Sequence, residues 1–481
     1  MRRCTKNVFI RLFLTSRPLS TKLNETNPFR SAVQAAEKLV LPSAEEGTRD
    51  PFSIVSYEMS NLAKLIANLI GSGNHVLNRV SSYYFEGEGK NVRPLIVLLL
   101  SKSLAEIPVH QKNRIPIDEL DTNDQKSYEG TDSSNTIAGK SVDDSITPLS
   151  ILRGINPKVS LDPLSKPMNE LPKFRSINGI LPKQRRLAEI IEMIHTASLL
   201  HDDVIDFSDS RRGRPSGNTA FTNKMSVLAG DFLLARASVA IARLRNPEVI
   251  ELLSSTIANL VEGEFMQLKN TVINREDLDV IVNDGDVKRI PKATGKIPVK
   301  QHEYSVQLPK IFDHESTVDA AFEYYLHKTY LKTASLISKL SRAAAILSGA
   351  QDNVIEDCYQ FGRNLGLCFQ IVDDMLDYTS TEKEFGKPSQ ADLKLGLATA
   401  PILYAWKEEP KLGPMITRKF SKKGDVKTAL EAVRECRGLQ KTKELSEKYC
   451  LEALKYLHRL PESESRNALE SVTKSVLVRS K

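Results

Sequence analysis

The stretch Leu199–Asn218 reads LLHDDVIDFSDSRRGRPSGN. An apolar run with helical spacing (LAEIIEMIHTASLL, 187–200) breaks here into four aspartates, Asp202, Asp203, Asp206 and Asp209. Arg211, Arg212 and Arg214 follow almost at once. On a helix, Asp202 and Asp206 lie four apart on one face. Like charges at that spacing repel, and the negative end of the helix dipole opposes anions at a C-terminus. A purely structural role would therefore cost stability, and the pattern implies a compensating cation. Gly213 and Pro215 mark RRGRPSGN as a turn rather than a continued helix.

The same D-D-x-x-D spacing returns at Asp373, Asp374 and Asp377, again after an apolar run, LGLCFQIV. Hard carboxylate oxygens suit Mg²⁺, which takes one or two carboxylates and completes its shell with water and substrate phosphate oxygens. Arginine forks bind phosphate bidentately and stay charged. Lys90 and Arg93, in EGEGKNVRP, form a second cationic loop just before a helix, a favourable place for phosphate. Two acidic clusters and two cationic loops point to two phosphorylated substrates.

The rest of the 481 residues supply the frame. Helical periodicity covers 52–104, 181–206, 223–244, 248–270, 324–349, 357–378 and much of 424–477, while strand alternation is scarce. An all-α fold is expected: a large bundle with internal helices. Residues 106–180 and 272–315 are rich in proline and polar residues and read as two low-order insertions. Residues 1–22 carry six of the Lys/Arg and no acid, so most of the net charge of +7 sits there. That composition predicts a mitochondrial transit peptide over about 1–25, followed by one interrupted domain over 50–481. The near-neutral remainder argues against nucleic-acid binding. No run approaches the length of a membrane-spanning apolar segment. Five scattered cysteines without C-x-x-C spacing exclude a disulfide framework.

Together, DDVID with RRGRP, FQIVDDMLDY with FGKP, GKNVRP, LKTASL and VEGEFMQL resemble the trans-polyprenyl diphosphate synthase family. The leader and insertions make the chain most similar to the long-chain mitochondrial members that build the ubiquinone side chain. The resemblance implies a homodimeric prenyltransferase, an isoprenoid-synthase-type helical bundle around a central cavity, that extends an allylic diphosphate with isopentenyl diphosphate, using several Mg²⁺ ions. It assigns metal ligation to Asp202, Asp206 and Asp373, with Asp203, Asp374, Asp377 and Lys332 completing the catalytic set. Arg211, Lys332, Thr333, Gln370 and Lys387 match allylic-diphosphate contacts. Lys90, Arg93, His195 and Arg212 match contacts to isopentenyl diphosphate. The family's chain-length positions fall on Ala197 and Ser198, both small, which implies a product beyond three isoprene units. Leu397 departs from the pattern, since related enzymes often carry lysine there. Contact with the inner mitochondrial membrane is compatible with this reading. On it, the acids and arginines of 199–218 do not neutralise each other, because magnesium and diphosphate stand between them. Two rivals remain: a non-catalytic subunit of a heteromeric synthase, and an HD-type metallophosphohydrolase built on His201-Asp202.

Overall fold

Helix Val92–Ala105 (α3) shows how the bundle is organised. Every residue from Leu95 to Leu100 is at most 2% exposed, so this helix is apolar around its whole circumference and runs through the interior. Each such aliphatic side chain contributes about 1.5–3 kcal/mol by burial. The computed structural model describes residues 50–72, 74–85, 91–108, 179–211, 213–269, 314–379 and 391–479. The leader and nearly all of both insertions lie outside the described residues.

Preceding α3 are Ser56–Ile70 (α1) and His75–Ser82 (α2); Asn74 caps α2 by accepting from Val76 N and Leu77 N. After the first insertion comes Pro182–Ile205 (α4), begun by a proline whose missing N–H costs nothing in the first turn. A two-stranded ribbon pairs Ser210–Arg211 (β1) with Arg214–Pro215 (β2), and Gly213 turns it at φ 72°. Asn223–Arg243 (α5) and Pro247–Lys269 (α6) follow. Beyond the second insertion stand His314–Thr329 (α7), a π-helical turn at Tyr330–Ala334, Ser335–Leu347 (α8) and the 28-residue Asp352–Thr379 (α9). Ala400–Glu408 (α10), Asp425–Glu435 (α11), Gly438–Leu457 (α12) and Glu464–Val478 (α13) complete the bundle. The architecture is all-α, as expected from the sequence, and the ribbon is the one sheet among the described residues.

Helix α4 packs between α3 and α5, and α9 between α8 and α12. One continuous core joins these helices, and a smaller one gathers around Leu403, Trp406 and Leu412. By length and composition α5 could cross a membrane, which the absence of a long uninterrupted apolar run did not anticipate. It carries Asp231 and Arg236 and is 44% buried along that stretch, packed on α4 as a bundle helix. The described cysteines Cys358, Cys368, Cys436 and Cys450 are free and buried. A cavity of about 130 Å³ lies between α1, α3 and α4, lined by Leu62, Leu65, Leu98, Ala188 and Glu58. The Glu58 carboxylate accepts no hydrogen bond, and Arg185 Nε approaches only to 3.9 Å.

Candidate active site

Each acidic motif occupies the C-terminal end of a long helix, α4 for the first and α9 for the second. In the first, the middle residue Asp203 is fully buried. Arg211 forks onto it, with Nη2 at 2.6 Å and Nε at 2.9 Å from Oδ1, and the Tyr84 hydroxyl donates to Oδ2. The sequence reading expected no direct pairing of acid and arginine in this stretch, and here the structure differs. The ribbon β1–β2 folds Arg211 back over the helix end, where the buried carboxylate is the nearest anion. Asp202 and Asp206 are less buried. The Asp202 carboxyl is pushed up to about 7, first by burial and then by the negative charge of Glu264, with Lys332 opposing.

The second motif repeats the arrangement. Asp374 is buried, accepting from the Tyr325 hydroxyl at 2.7 Å and from Gln370 Nε2 at 2.8 Å. Burial raises its pKa, opposed by Lys328 and these hydrogen bonds. Asp377 Oδ2 accepts from Asp392 N at 3.2 Å. Asp373 pairs with Arg479, whose guanidinium stacks 4.0 Å from the Phe369 ring. Burial and the like charge of Arg93 lower the Arg479 pKa to about 10, which places Arg93 near this end of the site.

The π turn joins the two motifs. Its Lys332 pairs with Glu264 Oε1 at 2.5 Å, donates to Gln267 at 3.1 Å, and feels the charges of Asp202 and Asp206. The next residue, Thr333, donates to Gln370 Oε1 at 2.7 Å, and Gln370 passes the chain to Asp374. Lys328, one turn earlier, is half-buried beside Asp374; desolvation lowers its pKa and that carboxylate opposes the shift. Gly263 makes this approach possible, since a methyl group there would stand 2.9 Å from Lys332 N.

Of the residues anticipated from sequence, the structure brings together Asp202, Asp206, Lys332, Thr333, Gln370 and Asp374 around the π turn. Asp203 and Arg211 pair with each other beside Asp202. His195 is half-buried on α4. Ser198 is half-buried, donating to His195 O at 2.8 Å, whereas Ala197 is fully buried in the core. Leu397 is also buried, at 9% exposure. Lys90, Arg212 and Lys387 lie outside the described residues. Not anticipated were Tyr84, Glu264, Gln267, Tyr325, Lys328 and Arg479. Glu264 and Gln267 stand inside VEGEFMQL, a motif noticed as a whole without roles for its polar members.

Among the described residues no three His, Cys, Asp or Glu side chains form a ready cation cage. That donor set fits Mg²⁺ held by one or two carboxylates and completed by diphosphate, since Asp202 and Asp206 keep some exposure while Asp203 and Asp374 are committed to protein donors. His201 turns to α5, with Nε2 3.5 Å from Asp231 Oδ1 and 3.2 Å from Val227 O. The His201-Asp202 pair required by a metallophosphohydrolase is therefore split between two faces.

Comparison with known proteins points the same way. The polyprenyl synthetase family model matches residues 170–287 and 301–433. A mitochondrial hexaprenyl pyrophosphate synthase of Saccharomyces cerevisiae is 58% identical over 459 residues, covering 94% of this chain and 95% of the relative. A probable hexaprenyl pyrophosphate synthase, mitochondrial, of Yarrowia lipolytica is 54% identical, covering 96% and 91%. In fold, the chain is similar to a polyprenyl synthase of Caulobacter crescentus crystallised with calcium and isoprenyl diphosphate. That match has a TM-score of 0.59 and 23% identity, covering 90% of this chain and 97% of the other.

Proposed function

This chain belongs to the polyprenyl synthetase family, and from that premise we propose that it is a mitochondrial long-chain trans-polyprenyl diphosphate synthase whose product is hexaprenyl diphosphate, the ubiquinone side-chain precursor. The observation that carries the reading is the meeting of two D-D-x-x-D helix ends across one lysine-bearing π turn. Asp202, Asp206 and Asp373 would hold the magnesium, Asp373 exchanging its Arg479 partner for the ion, a role supported by their position beside the committed Asp203 and Asp374. Bound with the allylic diphosphate, Mg²⁺ supplies Lewis-acid stabilisation of the departing group.

The chain's own residues do the rest. Lys332, fixed by Glu264 and Gln267, offers a fixed positive charge to the leaving diphosphate. Thr333 and Gln370 orient that end, and Arg211 and Lys387 complete the allylic subsite. Lys90, Arg93, His195 and Arg212 hold isopentenyl diphosphate, so that its double bond faces the carbon losing diphosphate. The growing hydrocarbon runs along α4 past Ser198, where apolar walls keep water from the cation.

Homodimerisation is supported by the apolar side chains left exposed on α5 and α6, among them Leu228 at 59% and Phe265 at 59%. Matrix localisation, with any inner-membrane contact peripheral, is supported by the basic, acid-free leader. The domain is read as 50–481, interrupted at about 106–180 and 272–315.

The test is direct. The chain lacking residues 1–25 is incubated with isopentenyl diphosphate, an allylic primer and Mg²⁺, and the extracted product is sized. Six isoprene units are expected. Absence of elongation by the isolated chain would favour an obligate partner subunit, and release of phosphate without elongation a hydrolase.

A further inference from the structure

We propose that Tyr84 and Tyr325 are positioning residues that pin the two acidic helix ends by their middle aspartates, and so fix the aim of the neighbouring Asp202, Asp206 and Asp373 that would hold the metals. The proposal rests on the synthase reading and deepens it. Two unrelated segments arrive at the same device. Tyr84 follows α2 and donates to Asp203; Tyr325 lies on α7 and donates to Asp374 at 2.7 Å. In the first motif the middle carboxylate alone is buried, at 0% exposure, and in the second Asp374 and Asp377 are both at 5%; a second donor completes each middle carboxylate, Arg211 in the first and Gln370 in the second.

Helix geometry gives the pin its purpose. Relative to the middle aspartate, the first and last of a D-D-x-x-D are rotated by about 100° and 60° in the same sense, so they project together away from it. The last turn of a helix lacks partners for its carbonyls and frays. At a side-chain radius of about 5–6 Å, a 20° rotation of that turn moves a carboxylate by about 2 Å. Metal sites tolerate about 0.5 Å. Fixing the middle residue removes this freedom for both neighbours at once.

The tyrosines are themselves well held. The Tyr84 oxygen accepts from Gly217 N at 2.7 Å, which ties α4 to the segment after the ribbon, and Tyr325 is 2% exposed. Burial raises both hydroxyls above the usual phenol range, with the neighbouring aspartate adding to the shift, so both remain protonated donors.

Tyr84→Phe and Tyr325→Phe keep each ring and remove only the donor. Tyr83→Phe and Tyr330→Phe are matched controls, since those hydroxyls bond Pro215 O at 2.9 Å and the Tyr359 hydroxyl at 2.8 Å without touching an aspartate. Mg²⁺ is titrated calorimetrically into each full chain with inorganic diphosphate, and elongation is measured against Mg²⁺ concentration. The two pin variants are expected to bind Mg²⁺ about tenfold more weakly, with kcat at saturating Mg²⁺ within threefold of the parent. The controls should stay within twofold. Unchanged Mg²⁺ binding in both pin variants would overturn the proposal, as would an equal shift in the controls, which would mark general loosening. The pins act on separate helices, so one variant that fails to fold leaves the other decisive. Release of phosphate without elongation by the parent chain would instead sink the synthase reading, whereas the pins are still read by the calorimetry, which needs only diphosphate.

Discussion

Replacing Gly366 with alanine sets two known effects against each other. Propensity alone says that alanine inside a helix stabilises it by about 1 kcal/mol. Gly366, however, lies where α9 crosses the π turn, and a methyl group there would stand 2.5 Å from Ala334 Cα and 2.8 Å from its Cβ. Carbon atoms settle at about 3.5–4.0 Å, so the two elements must part by about 1 Å. Overpacking of that kind costs about 1–3 kcal/mol and outweighs the propensity gain, for a net loss of about 1 kcal/mol. The same displacement falls on the Thr333–Gln370–Asp374 chain, and a misplacement of about 1 Å can cost 10²-fold in rate. Urea denaturation and kcat/KM for elongation read the two consequences. A Gly366→Ala protein more stable than its parent, with kcat/KM within threefold, would refute the packing argument.

Three more outcomes follow from the site and the core. Ser198→Phe should shorten the product, as read by mass spectrometry, because Ser198 is half-buried about 6 Å along α4 from Asp202. Ala197→Phe should instead cost about 1–3 kcal/mol of stability, since Ala197 has no room around it; a product unchanged by Ser198→Phe would remove the hydrocarbon from this face. Because the Asp202 carboxyl is pushed up to about 7, Mg²⁺ must displace its proton at lower pH. Mg²⁺ affinity should fall up to tenfold per pH unit below about 7 and level off above 8, and Asp202→Asn should abolish this dependence in a metal titration. Burial raises Glu58 above 4.5, so the folded state holds that proton more tightly and loses stability as pH rises through the folded pKa. Glu58→Gln should therefore gain melting temperature over the parent at pH 8 and not at pH 4.5; an equal difference at both values would contradict a raised Glu58.

The helices and both acidic motifs were legible in the sequence because their signals are local. Asp202 and Asp206 stand four apart, as do Asp373 and Asp377, and that pattern can be read without knowing the fold. Residues 324–349 looked like one helix, and periodicity could not reveal the π turn that divides it, since its signal is a hydrogen-bond pattern. Tyr84 and Asp203 are 119 residues apart, and Tyr325 and Asp374 are 49 apart, so no spacing rule links them. The Arg211–Asp203 fork was missed for a different reason. Local spacing allowed it, but the choice between a carboxylate and a phosphate partner depended on which aspartate the fold buries.

The π turn carries one more implication, and it concerns chain length at a single point. A π turn accommodates one residue more than the α-helix it interrupts. Tyr330–Ala334 therefore acts as a phase shifter: it holds α7 and α8 about 100° out of step with the uninterrupted helix they would otherwise form. In that phase Tyr325 meets Asp374 while Ala334 meets Gly366. Deleting any one residue of the turn would restore a regular helix and swing Tyr325 and Lys328 away from the second motif. The substrate chemistry thus depends on a count as well as on residue types, and this five-residue segment is where an insertion or deletion would do more damage than a substitution.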